Sequence, residues 1–164
     1  LKKHSDYGSA WTVLRPVSVT DQLFIKAQRI RTLQNEKKQK VSDSIKDEFI
    51  GLVNYGIIGL IGYKHSPDIN DRYDEATIKK WYDEAATQAK ETMLQKNHDY
   101  GEAWREMSQE SFADLIIMKL MRIKQILSNN GKTLVSEGID ANYTDIINYS
   151  LFALILIEEG VHQG

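Results

Sequence analysis

The sequence lacks cysteine altogether and has little proline and little net charge. Without cysteine the chain cannot form a disulfide framework or a thiolate metal site. This absence fits a reducing compartment, and we expect a cytoplasmic protein. The net charge of −2 favours neither nucleic acid nor an anionic membrane as a partner. Only two prolines interrupt the 164 residues, which favours long helices.

Long hydrophobic runs are also missing. The longest apolar stretches, 49–63 and 146–157, are shorter than the roughly 20 residues that cross a bilayer. We interpret both as core helices, because each also contains an asparagine. No segment shows the sustained alternation of apolar and polar residues that is typical of strands. The chain opens inside a motif and without methionine, so we expect residues upstream of Leu1 in the native protein.

What the sequence does contain is an internal repeat. Segment 3–11 reads KHSDYGSAW, and segment 96–104, with an offset of 93 residues, reads KNHDYGEAW. Further identities keep this offset, namely Ser18, Asp21, Lys26, Arg29 and Ile30 with Ser111, Asp114, Lys119, Arg122 and Ile123. After a shift of one residue, Asn54 and Tyr55 match Asn148 and Tyr149. A duplicated unit explains so many identities in order.

Each repeat is predicted to contain two helices, because apolar residues recur there at helical spacing. We predict first helices over about 20–36 and 113–127, and second helices over about 44–62 and 142–159. A long amphipathic helix, over about 74–95, connects the repeats. One helix pair has too little surface to bury its apolar face alone. The predicted fold is therefore all-α, a bundle of two helix pairs packed with pseudo-twofold symmetry.

We expect one compact domain over 1–164. Repeat one spans 1–63, a connecting turn and helix span 64–95, and repeat two spans 96–164. Because the duplication supplies an internal pseudo-dimer, we expect a monomer of this kind or a homodimer.

Small residues predict where the two second helices meet. Gly56 and Gly59 correspond to Ser150 and Ala153, and their spacing would let two helices approach closely. Glycine inside a helix costs about 1 kcal/mol relative to alanine. Close packing should offset that cost.

Polar residues form one stripe on each apolar second helix, at positions i, i+4 and i+7. The stripe reads Asp47, Gly51 and Asn54 in repeat one and Ala141, Asp145 and Asn148 in repeat two. The first helices carry cations three residues apart, Lys26 with Arg29 and Lys119 with Arg122. Two interpretations stay open. These groups hold a metal ion and the phosphates it bridges, or they form interhelical ion pairs that fix register.

Other repeated residues have simpler interpretations. Asp21 and Asp114 each follow a serine by three positions, which predicts helix capping. Gly8 and Gly101 are predicted to supply a left-handed or closely approached backbone position. Trp11 and Trp104 of the repeated motif are predicted to be core anchors rather than platforms for base stacking. Tyr7 and Tyr100 lie beside a turn, where they can face a cleft.

Together these motifs resemble a known family. KNHDYG at 96–101, Lys119-x-x-Arg122 and DIINY at 145–149 are similar to the nucleotide modification associated domain of type 1, here in tandem. The resemblance implies an all-α fold and a role in nucleotide or modified-base metabolism. More distantly, the chain resembles the MazG-like nucleoside triphosphate pyrophosphatases, helical enzymes that hold Mg²⁺ with acidic residues from two facing helices. Where those enzymes carry Glu-x-x-Glu, this chain has Lys-x-x-Arg.

The resemblance implies a nucleotide-binding protein, with a Mg²⁺-dependent pyrophosphohydrolase as its enzymatic form. The alternative is a non-catalytic nucleotide sensor or assembly protein. Asp47 and Asp145 are the predicted catalytic and metal-binding residues, supplemented by Glu48 and Asp140, in one composite site between the repeats. The predicted nucleotide-binding residues are Lys26, Arg29, Lys119, Arg122, Asn54, Asn148, Asp6, Asp99, Tyr7 and Tyr100.

Overall fold

The computed structural model describes residues 10–36, 44–68, 73–129 and 138–164, which contain five α-helices and no strand. The helices are α1 (Pro16–Asn35), α2 (Ile45–His65), α3 (Glu75–Tyr100), α4 (Gln109–Ser128) and α5 (Ile139–Glu158). Short 3₁₀ turns, Ala10–Val13 and Ala103–Glu106, precede α1 and α4. The prediction of an all-α fold is confirmed. None of these five helices has the length and apolar character needed to cross a membrane.

Local signals start three of the helices with a side-chain cap. The hydroxyl of Ser44 accepts a hydrogen bond from the backbone of Asp47 at 3.1 Å, and Ser108 does the same for Ser111 at 3.2 Å. The carboxylate of Asp74 accepts from the backbone of Thr77 at 2.7 Å. This hydrogen bonding to Thr77 lowers the pKa of Asp74, because it favours the charged form.

The capping role predicted for Asp21 and Asp114 is wrong. Helices α1 and α4 begin about one turn earlier than predicted, so both aspartates lie in the second turn. Asp21 instead lies 3.9 Å from Lys124, and Asp114 lies 3.8 Å from Arg31. Arg31 and Lys124 are equivalent positions of the two repeats. The two ion pairs therefore repeat one contact between α1 and α4, as pseudo-twofold symmetry requires.

The four repeat helices pack as a ring. Helix α2 contacts α1 and α5, and α4 contacts the same two helices from the other side. One cluster of buried apolar side chains contains residues of all five helices, so the repeats share a core. The predicted bundle of two packed helix pairs is confirmed.

Helices α2 and α5 meet at the predicted glycines. A Cβ added to Gly56 would lie 2.8 Å from Cγ1 of Ile147, and one added to Gly59 would lie 2.6 Å from Cζ of Tyr143. Tyr143 is 1% exposed, and this burial raises the pKa of its hydroxyl. Close approach of the helices thus offsets the cost of glycine in α2.

Helix α3 lies across α2 and α5, where two asparagines hold it. The hydroxyl of Tyr82 donates to Oδ1 of Asn54 at 3.2 Å, and Nδ2 of Asn148 donates to the carbonyl of Ala89 at 3.1 Å. Burial raises the pKa of Tyr82. The two asparagines of the polar stripe therefore serve to dock the connecting helix.

Helix α3 continues to Tyr100, five residues beyond its predicted end. It stops at Gly101, whose φ of +66° is a left-handed value that favours glycine. This confirms the prediction for Gly101, whereas Gly8 lies outside the described residues. The first half of the repeated motif in repeat two is thus helical.

We expect opposite effects on stability from two neighbouring glycine substitutions. Gly59→Ala should lower the free energy of unfolding by about 1–3 kcal/mol, because the new methyl group meets the buried ring of Tyr143. Gly62→Ala should raise it by up to about 1 kcal/mol, because its Cβ meets no atom within 4 Å. Urea unfolding followed by circular dichroism measures both values. Equal effects from the two substitutions would contradict the packing described here.

Candidate functional site

The motif residues of repeat two meet around a cavity of about 130 Å³. Residues Lys96 and Tyr100 are one turn apart on α3 and share a face, as do Asp145 and Tyr149 on α5. The turn at Gly101 brings the following 3₁₀ turn against both helices. The lining residues are Met93, Lys96, Asn97, Tyr100, Gly101, Ala103, Trp104, Asp145, Asn148, Tyr149 and Phe152. We name this space the repeat-two cavity.

Two lysines hold the carboxylate of Asp145. The Nζ atom of Lys96 lies 2.9 Å from Oδ1, and that of Lys119 lies 3.1 Å from Oδ2. The Asp145 side chain is only 17% exposed, and a carboxylate so removed from water needs cationic partners. The interhelical ion pair, one of the two interpretations of the polar stripe, is therefore present. Asp145 therefore brings two ammonium groups together at one point.

An aromatic pair forms another wall of the cavity. The rings of Trp104 and Phe152 stack with centroids 4.4 Å apart and planes 7° from parallel. Trp104 donates from Nε1 to Oδ1 of Asn97 at 3.2 Å, and it is 8% exposed. Its predicted role as a core anchor is confirmed. Tyr100, which is 78% exposed, stands at the edge of the cavity.

One polar atom in the cavity wall has an unused hydrogen-bonding capacity. Asn148 is buried, and its Oδ1 atom finds no donor among the described residues. A buried acceptor without a partner costs roughly 1–3 kcal/mol. The Oδ1 atom itself has almost no accessible surface.

Repeat one arranges its charges differently. Gly51 occupies the position equivalent to Asp145, and the alkyl chain of Lys26 covers it, within 2.7 Å of where a Cβ would lie. The carboxylate comes from Glu48 instead, about one turn earlier on α2. It lies 3.8 Å from both Lys26 and Arg29, and its side chain is 13% exposed. Each repeat thus places one carboxylate between two cations, by different residues.

The predicted composite site of Asp47 and Asp145 is not formed. Helices α2 and α5 are antiparallel, and the start of α2 lies beside the end of α5, where Lys46 pairs with Glu158 at 3.6 Å. Glu158 is separated from Asp145 by 13 residues, or roughly 20 Å of helix. Asp47 is exposed in the first turn of α2, where a negative charge favours the helix dipole.

The predicted Mg²⁺ needs several oxygen ligands in octahedral geometry. Asp145 and Glu48, the two carboxylates that face the helix interfaces, each lie between cationic side chains. Nowhere in the described part of the chain do three histidine or acidic side chains gather closely enough to hold a metal. These donors suit ion pairs and do not fit a resident Mg²⁺. Magnesium stays a prediction that metal titration can test.

The remaining predicted site residues lie away from the repeat-two cavity. Asp140 is half-buried in the first turn of α5, and Asp99 is exposed in the last turn of α3. Arg122 lies on α4, where it donates to Gln125 at 3.1 Å. Two further predicted residues, Asp6 and Tyr7, lie outside the described residues.

Sequence reasoning missed Lys96, Asn97 and Tyr149 as site residues. Lys96 recurs in both copies of the motif, which was an available signal. The motif lies between the predicted helices, however, which end at about 95 and begin again at about 113. Outside a helix, residue spacing does not predict which side chains share a face. Only the continuation of α3 to Tyr100 shows that Lys96 is directed at Asp145.

Removing the charges of Lys96 and Lys119 alone should destabilise the protein more than removing them together with the charge of Asp145. We expect the double substitution Lys96→Met, Lys119→Met to lower the free energy of unfolding by about 1–3 kcal/mol, because it leaves a partly buried carboxylate without its ion pairs. Adding Asp145→Leu should restore most of the loss. Chemical denaturation at pH 7 measures all variants.

Lys79→Met is the matched control, since Lys79 belongs to an exposed ion pair with Asp83. It should change stability by less than about 0.5 kcal/mol. The triple variant, which also carries Asp145→Leu, should be more stable than the double lysine variant. A less stable triple variant would show that the lysines are not needed to stabilise the charge of Asp145.

Comparison with known proteins assigns the family. The family model described as nucleotide modification associated domain 1 matches residues 3–62 and 96–157. These two segments coincide with the two repeats and cover well over half of the chain. None of the curated proteins or solved structures compared with the chain gives a match. The chain belongs to the nucleotide modification associated domain 1 family, as a tandem copy of the domain.

Proposed function

We propose that this protein binds a nucleotide, with a phosphate group held by Lys96 and Lys119 at the repeat-two cavity. One observation carries the proposal: two ammonium groups converge on a single, partly buried carboxylate beside a cavity. Both ammonium groups are thus directed at one point, where a phosphate group could meet them together. The family description, nucleotide modification associated, is in keeping with a nucleotide ligand.

In the free protein Asp145 would act as a placeholder for the phosphate. Each ammonium group has three donors, so both lysines can bind phosphate oxygens and keep contact with Asp145. A phosphate carries more charge than one carboxylate and forms charge-assisted hydrogen bonds with both. The lysines are already held in position, which lowers the entropy lost when the ligand binds.

The size of the cavity limits which part of the ligand enters it. A space of about 130 Å³ holds a phosphate group or one small ring but not a whole nucleotide. The rest of the ligand would lie on the surface beside Tyr100.

A Mg²⁺-dependent pyrophosphohydrolase, the enzymatic form that the MazG-like resemblance implies, would use Asp145 differently. There the carboxylate would have to leave its lysines and bind the metal. Water would then attack the phosphoanhydride and release pyrophosphate and a nucleoside monophosphate. Phosphate binding by the lysines and metal binding by Asp145 therefore predict opposite effects of neutralising Asp145.

We expect Asp145→Asn to strengthen the binding of nucleotide in the absence of Mg²⁺. Losing the competing carboxylate should tighten the affinity about fivefold, the equivalent of about 1 kcal/mol. Lys119→Ala should weaken the affinity about tenfold. Isothermal titration calorimetry with pyrophosphate and with the four deoxynucleoside triphosphates, with and without Mg²⁺, measures these constants.

Lys79→Ala, a charge change at a distant exposed site, controls for general electrostatics and should leave the affinity unchanged. Weaker binding in Asp145→Asn, together with Mg²⁺-dependent pyrophosphate release by the wild type, would favour the hydrolase. No binding of any of these ligands by the wild type would remove the nucleotide proposal and leave an assembly role.

A further inference from the structure

Repeat one contains a second cavity that the proposed function does not use. It has a volume of about 340 Å³ and lies between the start of α1 and the end of α2. This volume is in the range of small-molecule pockets. Trp11, Val19, Ile58 and Gly62 contribute to its apolar wall. We name it the repeat-one cavity.

Three residues of this wall have larger equivalents in repeat two. Val19 corresponds to Phe112, Ile58 to Phe152 and Gly62 to Leu156. All three of the larger residues are buried, at 0%, 8% and 1% exposure. A Cβ built at Gly62 meets no atom of the described residues within 4 Å. Repeat two thus places more side-chain volume at these three positions than repeat one does.

The segments that follow the second helix of each repeat also differ. In repeat two Gln109 donates from Nε2 to the carbonyl of Gln163 at 2.7 Å, which fixes the residues after α5 against the start of α4. In repeat one Ser66, Pro67 and Asp68 follow α2 and line the cavity. Of these three, Ser66 and Asp68 are exposed.

The most informative difference between the repeats is that Ile58 occupies the position equivalent to Phe152. In repeat two the Phe152 ring stacks on Trp104 at 4.4 Å, with planes 7° from parallel. In repeat one the equivalent tryptophan, Trp11, and Ile58 both line the cavity, and Ile58 has no ring. Repeat one thus keeps the tryptophan of this pair beside a cavity and has an aliphatic side chain at the position of the second ring.

We propose that the repeat-one cavity binds a planar heteroaromatic ring of nucleobase size, stacked beside Trp11 as Phe152 stacks on Trp104. The polar side chain of Arg15 at the rim favours a heterocycle over a hydrocarbon, because a guanidinium group donates hydrogen bonds to ring nitrogen and oxygen atoms. Aromatic stacking is tolerant of the identity of the base. The site shares no residue with the Lys96 and Lys119 cluster, so it can be tested independently of the proposed function.

The test restores the side chains of repeat two in repeat one. Ligand-observed NMR and calorimetry would measure the binding of adenine, guanine, cytosine and thymine to the full chain. At least one base should bind the wild type, and the double substitution Ile58→Phe, Gly62→Leu should weaken it at least tenfold. Lys79→Ala, a change at an exposed position that lines neither cavity, should bind that base as the wild type does.

Two further measurements keep the result unambiguous. The filled variant should unfold at the same or a higher temperature than the wild type, since the new side chains enter empty volume. Should it misfold, the single substitution Gly62→Leu provides the same block. Indole serves as an apolar probe of similar size. Binding of indole but of no base, binding of no probe at all, or equal affinity of the filled and wild-type proteins would each overturn the proposal.

Discussion

The close contact between α2 and α5 is the constraint on which the rest of the structure depends. It exists because Gly56 and Gly59 leave room for Ile147 and Tyr143. With these two helices in direct contact, α1 and α4 pack beside them and share one core with them. The antiparallel direction of the pair then decides which side chains can meet. It separates the polar stripes of the two repeats, so that each repeat must build a site from its own residues.

Helix α3 connects the two repeats and also contributes to the charge cluster of repeat two. Its contacts with Asn54 and Asn148 set its position across both central helices. Because the helix is continuous to Tyr100, it brings Lys96 to Asp145 as a second cation. In repeat two the charge cluster is thus assembled from three helices. The docking of α3, which looks purely structural, is therefore a condition for the proposed phosphate site.

Much of the fold could be predicted from the sequence, but less of the site. Identities at a constant offset are enough to indicate two equivalent helix pairs, and the glycines of α2 indicate where they touch. The predicted composite of Asp47 and Asp145 failed because periodicity gives the face of a helix but not its direction against a neighbour. The capping interpretation of Asp21 failed because stronger start signals, Pro16 and Ser108, lie upstream in each repeat.

The two repeats have diverged where the shared core tolerates it. In repeat one the chain of Lys26 covers Gly51, the position of the site carboxylate, while the volume near Trp11 stays open. In repeat two Asp145 lines the cavity, and Phe152 stacks on Trp104. Both differences lie next to the glycine contact, yet Gly56 still meets Ile147 and Gly59 still meets Tyr143. A duplicated domain can therefore acquire one polar and one apolar cavity without weakening the contact that holds its halves together.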